Sequence, residues 1–163
     1  MLTAYHPESW HELFSVLGGA IAALTGLLFV AMSLHVDKIR EARHWGRRAH
    51  TNTFALVGAL TESLLVLIPQ PASWLGYELI ALNSVLLLLL MIPLIRSWLK
   101  EVAGLPPLRL FAGTGAWLLG AAGGAGLLVH AGGGMFLVTS SCFILIWVCV
   151  WNAWSLLLGN YKS

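Results

Sequence analysis

The stretch AHTNTFALVGALTESLLVLIPQP, residues 49 to 71, reads as an apolar helix with a carboxylate, Glu62, near its middle. A charged side chain in hydrocarbon is costly and is kept where it has a task or a partner. The fold therefore turns on whether this segment lies in a bilayer. Of the 163 residues 58% are hydrophobic and 10% charged, with a mean hydropathy of +0.82. That mixture is far from an ordinary globular domain and indicates an integral membrane protein.

A bilayer core about 30 Å thick needs roughly 20 apolar residues of helix. Windows of that kind, free of Lys and Arg, occur at about residues 12–36, 51–68, 73–95, 108–129 and 134–158. Cytoplasmic loops carry an excess of Lys and Arg, and five spans put all nine such residues on one side. These are Lys38, Arg40, Arg43, Arg47 and Arg48 in the first loop, Arg96, Lys100 and Arg109 in the third, and Lys162 in the tail. A four-span reading scatters them over both faces. The expectation is an all-α polytopic protein, one domain over residues 1–163, with a five-transmembrane-helix bundle, the N terminus outside and the C terminus cytoplasmic.

MLTAYHPESWHE has no basic n-region and the first apolar run is long enough to span, so the start reads as a retained, translocated terminus and not a cleaved signal. The net charge of +2 hides the one-sided basic residues. They suit anionic lipid headgroups, and nothing points to nucleic acid. Cys142 and Cys149, seven apart on one helix, stand about 10 Å apart and cannot form a disulfide with each other; they read as buried packing residues.

The PQPASW and HAGGG turns are tight enough to force antiparallel neighbours. The connection DKIREARHWGRRAH, residues 37–50, reads as a solvated amphipathic loop with Trp45 and arginines at headgroup level, as an extension of the first span, or as a docking patch. Trp147, Trp151 and Trp154 line one face of the fifth span.

Small residues mark where helices approach in lipid, since no hydrophobic drive acts between them there. Ser15, Gly19, Ala22, Gly26, Phe29 and Ser33 form such a stripe on the first span, which is expected to be buried, and Gly120 with Gly124 forms a GxxxG pair on the fourth. Two seams in five helices suggest that one serves packing and the other self-association, so a homo-oligomer is expected.

Glu62 lies roughly 16 Å along its helix from Thr51, near the midplane, with Ala55 and Gly58 on its face. The third span places Asn83 at comparable depth, so the two are expected to hydrogen-bond across the hairpin. One reading has Glu62 neutral, a donor that fixes helix register. The other makes it part of a proton or ion pathway. Glu78 sits near the outer end of its span, at the interface or at a pathway mouth. His11, His35, His50 and His130 lie near span ends and offer a bis-His haem reading, but no spaced ligand motif accompanies them, and no metal or cofactor is expected. The absence of a nucleophile motif, P-loop or dinucleotide fingerprint argues against an enzyme.

The run LGGAIAALTGLLFVAMSLHVDKI, residues 17 to 39, followed by an arginine-bearing loop and a span ending in LIPQP, resembles an uncharacterised family of small bacterial polytopic membrane proteins sometimes labelled modulators of the FtsH protease. The resemblance implies a bacterial inner-membrane location. Two functional expectations stand side by side. One is a homo-oligomeric ion or proton conduit, its pathway lined by Glu62 and Asn83, or by the polar stripe of the first span with Thr25 and Ser33. The other is a non-catalytic subunit or modulator bound to a larger membrane complex such as a membrane protease.

Overall fold

A computed structural model describes residues 2–34, 43–98 and 107–158. Lys38, Arg40, Lys100, Lys162 and His35 lie outside the described residues. Two 3-10 turns, Leu2–Tyr5 and Pro7–Trp10, precede five α-helices: α1 His11–Leu34, α2 Arg43–Leu67, α3 Ala72–Trp98, α4 Pro107–Val129 and α5 Gly134–Leu158.

The helices run alternately up and down, which the two buried clusters make plain. One cluster joins Phe14, Leu17, Val66, Leu79, Leu127 and Val138. The other joins Ile21, Leu28, Leu56, Ala59, Trp117 and Cys149, with Leu86 and Leu90 packed against it. Along each helix the order of the clusters reverses relative to the helix before. Chain order then puts the ends of α2, α3 and α4 that carry Arg43, Arg47 and Arg48, Arg96 and Arg109 at the second cluster's end of the bundle.

Among the described residues, four helices are long and apolar enough to cross a membrane, α1, α3, α4 and α5. The apolar part of α2, Thr51–Leu67, is shorter. Arg47, Arg48 and His50 precede it in the sequence and Pro69 follows it. Its buried residues include the polar Asn52, Glu62 and Ser63 beside Leu56, Ala59 and Val66, while Phe54, Val57 and Leu64 are exposed. A helix of a water-soluble domain shows the reverse. In α2 the buried polar groups find their partners among the neighbouring helices, while much of the outer face is apolar. Its polar side chains lower the mean hydropathy without making its surface polar.

Both short connections are built as their sequences require. His130, Gly132 and Gly133 all have positive φ, 50°, 73° and 75°, so α4 ends in the left-handed region that glycine tolerates. The Ala131 N–H donates to Gly126 O at 3.2 Å and closes the helix end. In the Pro69–Pro71 turn, the Ile68 N–H donates to Leu65 O at 3.2 Å. The N-terminal turns are part of the fold as well. The Gly133 N–H donates to Tyr5 Oη at 3.2 Å, and Trp10 meets the ring of Phe136 edge-on at 4.8 Å.

Two expectations need correction. The segment after the first span does not wholly belong to a loop: α2 begins at Arg43, eight residues before the expected Thr51, because residues 43–50 contain good helix formers and no proline. The small-residue stripe of α1 is not buried in the bundle. Ser15, Gly19, Ala22, Gly26, Phe29 and Ser33 are all exposed, and α1 packs through Phe14, Leu17, Gly18, Ile21 and Leu28. Van der Waals contact in an up-down bundle favours the face with more side chain to interdigitate.

A polar layer where four helices meet

The expected pairing of Glu62 and Asn83 is present: Asn83 Nδ2 donates to Glu62 Oε1 at 2.6 Å. The same nitrogen donates to Leu79 O, one turn back on α3, at 2.9 Å. This second bond fixes the amide orientation, so Asn83 presents its donor to Glu62 while its oxygen faces the Gly120 notch that Glu62 Oε1 also borders. Both residues are fully buried.

Two further helices complete the layer. From α5, the Cys142 thiol donates to Glu62 Oε2 at 3.2 Å, and the hydroxyl of Ser141 lies beside the carboxyl without reaching hydrogen-bond geometry. From α4, Gly120 supplies only backbone. A methyl on Gly120 would come within 2.7 Å of Glu62 Oε1 and closer still to Asn83 Oδ1. The GxxxG pair is thus a pair of notches: Gly120 makes room for the polar layer, and Gly124 lets α3 approach, a methyl there reaching to 2.7 Å from Gly76 O. Gly58, expected to admit a neighbouring helix, does so; it faces the rings of Trp117 on α4 and Leu86 on α3.

About ten residues nearer the basic end, a second polar contact joins α2 to α5. Asn52 Nδ2 donates to Cys149 O at 3.1 Å, Asn152 Nδ2 donates to Asn52 Oδ1 at 3.0 Å, and the Cys149 thiol donates to Asn52 O at 3.6 Å. Both cysteines are free and buried. They do more than pack, since each thiol meets a polar group of α2. At the other end Glu78 is half-buried and accepts a hydrogen bond from Gln70 Nε2 at 2.7 Å.

The remaining expected residues do not join the layer. Thr25 is half-buried and its hydroxyl donates to Ile21 O, one turn back on its own helix. Exposed Ser33 donates to Val30 O. Gly19 and Gly26 have no atom within 4 Å of where a methyl would sit. His130 stacks at a tilt against Tyr5, centroids 5.7 Å apart. Among the described residues no group of three His, Cys, Asp or Glu side chains converges on one point.

Sequence reading missed Asn52, Ser141, Asn152 and the donor role of the two cysteines. Met135, Val138, Cys142, Leu145, Cys149 and Asn152 follow alternating spacings of three and four on α5, so one face carried both thiols. Treating a thiol as a weak donor for the one deep intramembrane carboxylate would have paired Cys142 with Glu62. No family model, no curated protein and no solved structure matches the chain.

Proposed function

We propose that the protein is a bacterial inner-membrane ion or proton conduit that spans five times, with the N terminus outside and the basic helix ends in the cytoplasm. Glu62 is its gating or selectivity group. The observation that supports this reading is a fully buried carboxyl at the meeting point of four helices, with two buried oxygens beside it, Asn83 Oδ1 and Ser141 Oγ, that have no hydrogen-bond partner. A residue kept only to lock helix register is expected to have all its neighbours satisfied. The polar groups continue along the same bundle, to Asn52 and Asn152 on one side and to Gln70 and Glu78 on the other. The route thus runs through the interior of one protomer. Apolar Leu56 and Leu145 interrupt it and keep it closed at rest.

Liposomes containing the purified protein and a pH or cation dye test this. Flux is expected, and Glu62→Gln is expected to change it at least tenfold. Liposomes that stay silent under every imposed gradient would refute it.

The exposed small-residue face of α1 favours a second reading, a homo-oligomer or a non-catalytic subunit or modulator docked on a larger membrane protein. Silent liposomes together with stoichiometric co-purification of a second membrane protein that Gly19→Leu releases would favour it over the conduit.

A further inference from the structure

Nearly every hydrogen-bond donor around Glu62 is already engaged. Asn83 Nδ2 serves Glu62 Oε1 and Leu79 O, and the Cys142 thiol serves Glu62 Oε2. The hydroxyls of Ser63 and Thr139 donate to Ala59 O and Met135 O on their own helices. Two oxygens in the same fully buried layer are left unpartnered, Asn83 Oδ1 and Ser141 Oγ. Sealing an acceptor from water without a partner is unfavourable, and such groups in a folded protein call for an occupant.

The charge balance points the same way. No Lys or Arg occurs between residues 49 and 95 or between 110 and 161, so α2, α3, α4 and α5 bring no basic partner to the carboxyl at this depth. Glu62 and Cys142 are the titratable groups of the layer among the described residues; α3 and α4 contribute Asn83 and Gly120, which do not titrate. Three occupants can be compared. A water molecule would satisfy both oxygens but leave the carboxylate without a counter-charge. A proton would neutralise the carboxylate, but its one hydrogen serves only one of the two oxygens, and the Ser141 hydroxyl, a donor in its own right, would still have to find an acceptor. A small cation does both at once. The donors are hard oxygens, a carboxylate, an amide oxygen and a hydroxyl, which suit alkali and alkaline-earth ions. With a single carboxylate, one positive charge gives a neutral site, whereas a divalent ion leaves an unmatched charge in hydrocarbon.

We propose that the layer is a binding site for a small monovalent cation of the sodium class, held by the Glu62 carboxylate, Asn83 Oδ1 and Ser141 Oγ, with the proton as its competitor. This rests on the conduit reading in that it names what Glu62 holds, but its test does not use flux.

The test is thermal unfolding of the purified full chain in detergent at constant ionic strength, with sodium, lithium, potassium or choline chloride, at neutral and acid pH. Sodium and lithium are expected to raise the midpoint by several degrees over choline. The sodium concentration giving half the effect should rise about tenfold for each unit by which the pH falls, once one proton competes for one site. Ser141→Ala, a small change at a hydroxyl without a hydrogen-bond partner, and Glu62→Gln should flatten the response. Equal midpoints in sodium and choline at every pH would overturn the proposal. So would a sodium response undiminished in both variants, because the ion would then sit elsewhere. A midpoint that moves with pH alone, identical in sodium and choline, leaves Glu62 as a proton site and the conduit intact while removing the cation site. Sodium stabilisation with silent liposomes keeps the site and removes the conduit.

Discussion

Two glycine-bearing helix faces look alike on paper and have opposite surroundings in the bundle. On α4, Gly120, Gly123, Gly124 and Gly126 are buried, and a methyl on any of them would run into a neighbour. On Gly123 it would come within 2.9 Å of Gly134 O, and on Gly126 within 2.7 Å of Ala131 O. On α1, Gly19 and Gly26 face open space. The difference teaches that small residues report where backbones can approach, without saying whether the approaching helix belongs to the same chain. On α4 a polar layer and a short hairpin claim the notches. On α1 the larger residues Phe14, Leu17 and Ile21 hold the helix to the bundle, and the small face is left over.

The largest effects should come from filling the notches of α4. Gly120→Val would push into Asn83 and Glu62, and Gly124→Val into the backbone of α3, which has no rotamer to give way. Each is expected to destabilise the protomer by about 3 kcal/mol, the upper end for overpacking, as read by thermal unfolding in detergent. The same substitutions at Gly19 and Gly26 together should leave protomer stability within about 0.5 kcal/mol, as for surface positions. If the α1 face meets a second copy of the chain, that double variant lowers the mass seen by native mass spectrometry or light scattering. A Gly19→Val, Gly26→Val variant that loses its fold would break the comparison outright.

The contrast also marks what could be read from residues alone. Helix existence was legible, and four of the five expected spans match their helices to within three residues at each end. Long apolar windows bounded by charge or by Gly and Pro leave few alternatives. The start of α2 was not, because charged residues 43–50 satisfy helix propensity and loop composition equally well. Glu62 and Asn83 could be paired because a tight turn makes their depths comparable by counting. Asn52 with Asn152 and Glu62 with Cys142 join helices far apart in sequence, where counting from a shared turn does not reach. Which stripe of α1 faces inward was also beyond reach, since large and small residues both repeat at spacings of three and four on it.

A middle-sized effect separates the polar layer from its packing. Asn83→Leu removes the donor to Glu62 Oε1 and replaces the amide with a side chain of similar size. Leaving a buried carboxyl short of a hydrogen bond should destabilise by about 1.5–3 kcal/mol, the range for bonds to charged groups. Glu62→Leu made in the Asn83→Leu background should recover part of that loss, because both polar partners are then gone. Failure of the second change to recover any stability in the same unfolding assay would mean that the layer's shape, not its hydrogen bonding, sets its contribution.

Gly58→Ala is expected to be smaller, about 1 kcal/mol, since its methyl would meet the tips of Leu86 and Trp117, which can shift, instead of backbone. Asn52→Ala should be of the same size. Asn52 gives one hydrogen bond to Cys149 O and takes one from Asn152, and both of its polar side-chain atoms are satisfied. Interhelical hydrogen bonds in membranes average about 0.6 kcal/mol each, so the loss should be about 1 kcal/mol. It should also be the same in sodium and in choline, because this contact has no unpartnered oxygen to offer an ion. The two polar contacts between α2 and α5 therefore divide by response: one structural and indifferent to the salt, the other sensitive to which cation is present. A sodium dependence that vanished with Asn52→Ala would move the ion from the Glu62 layer toward the basic end of the bundle.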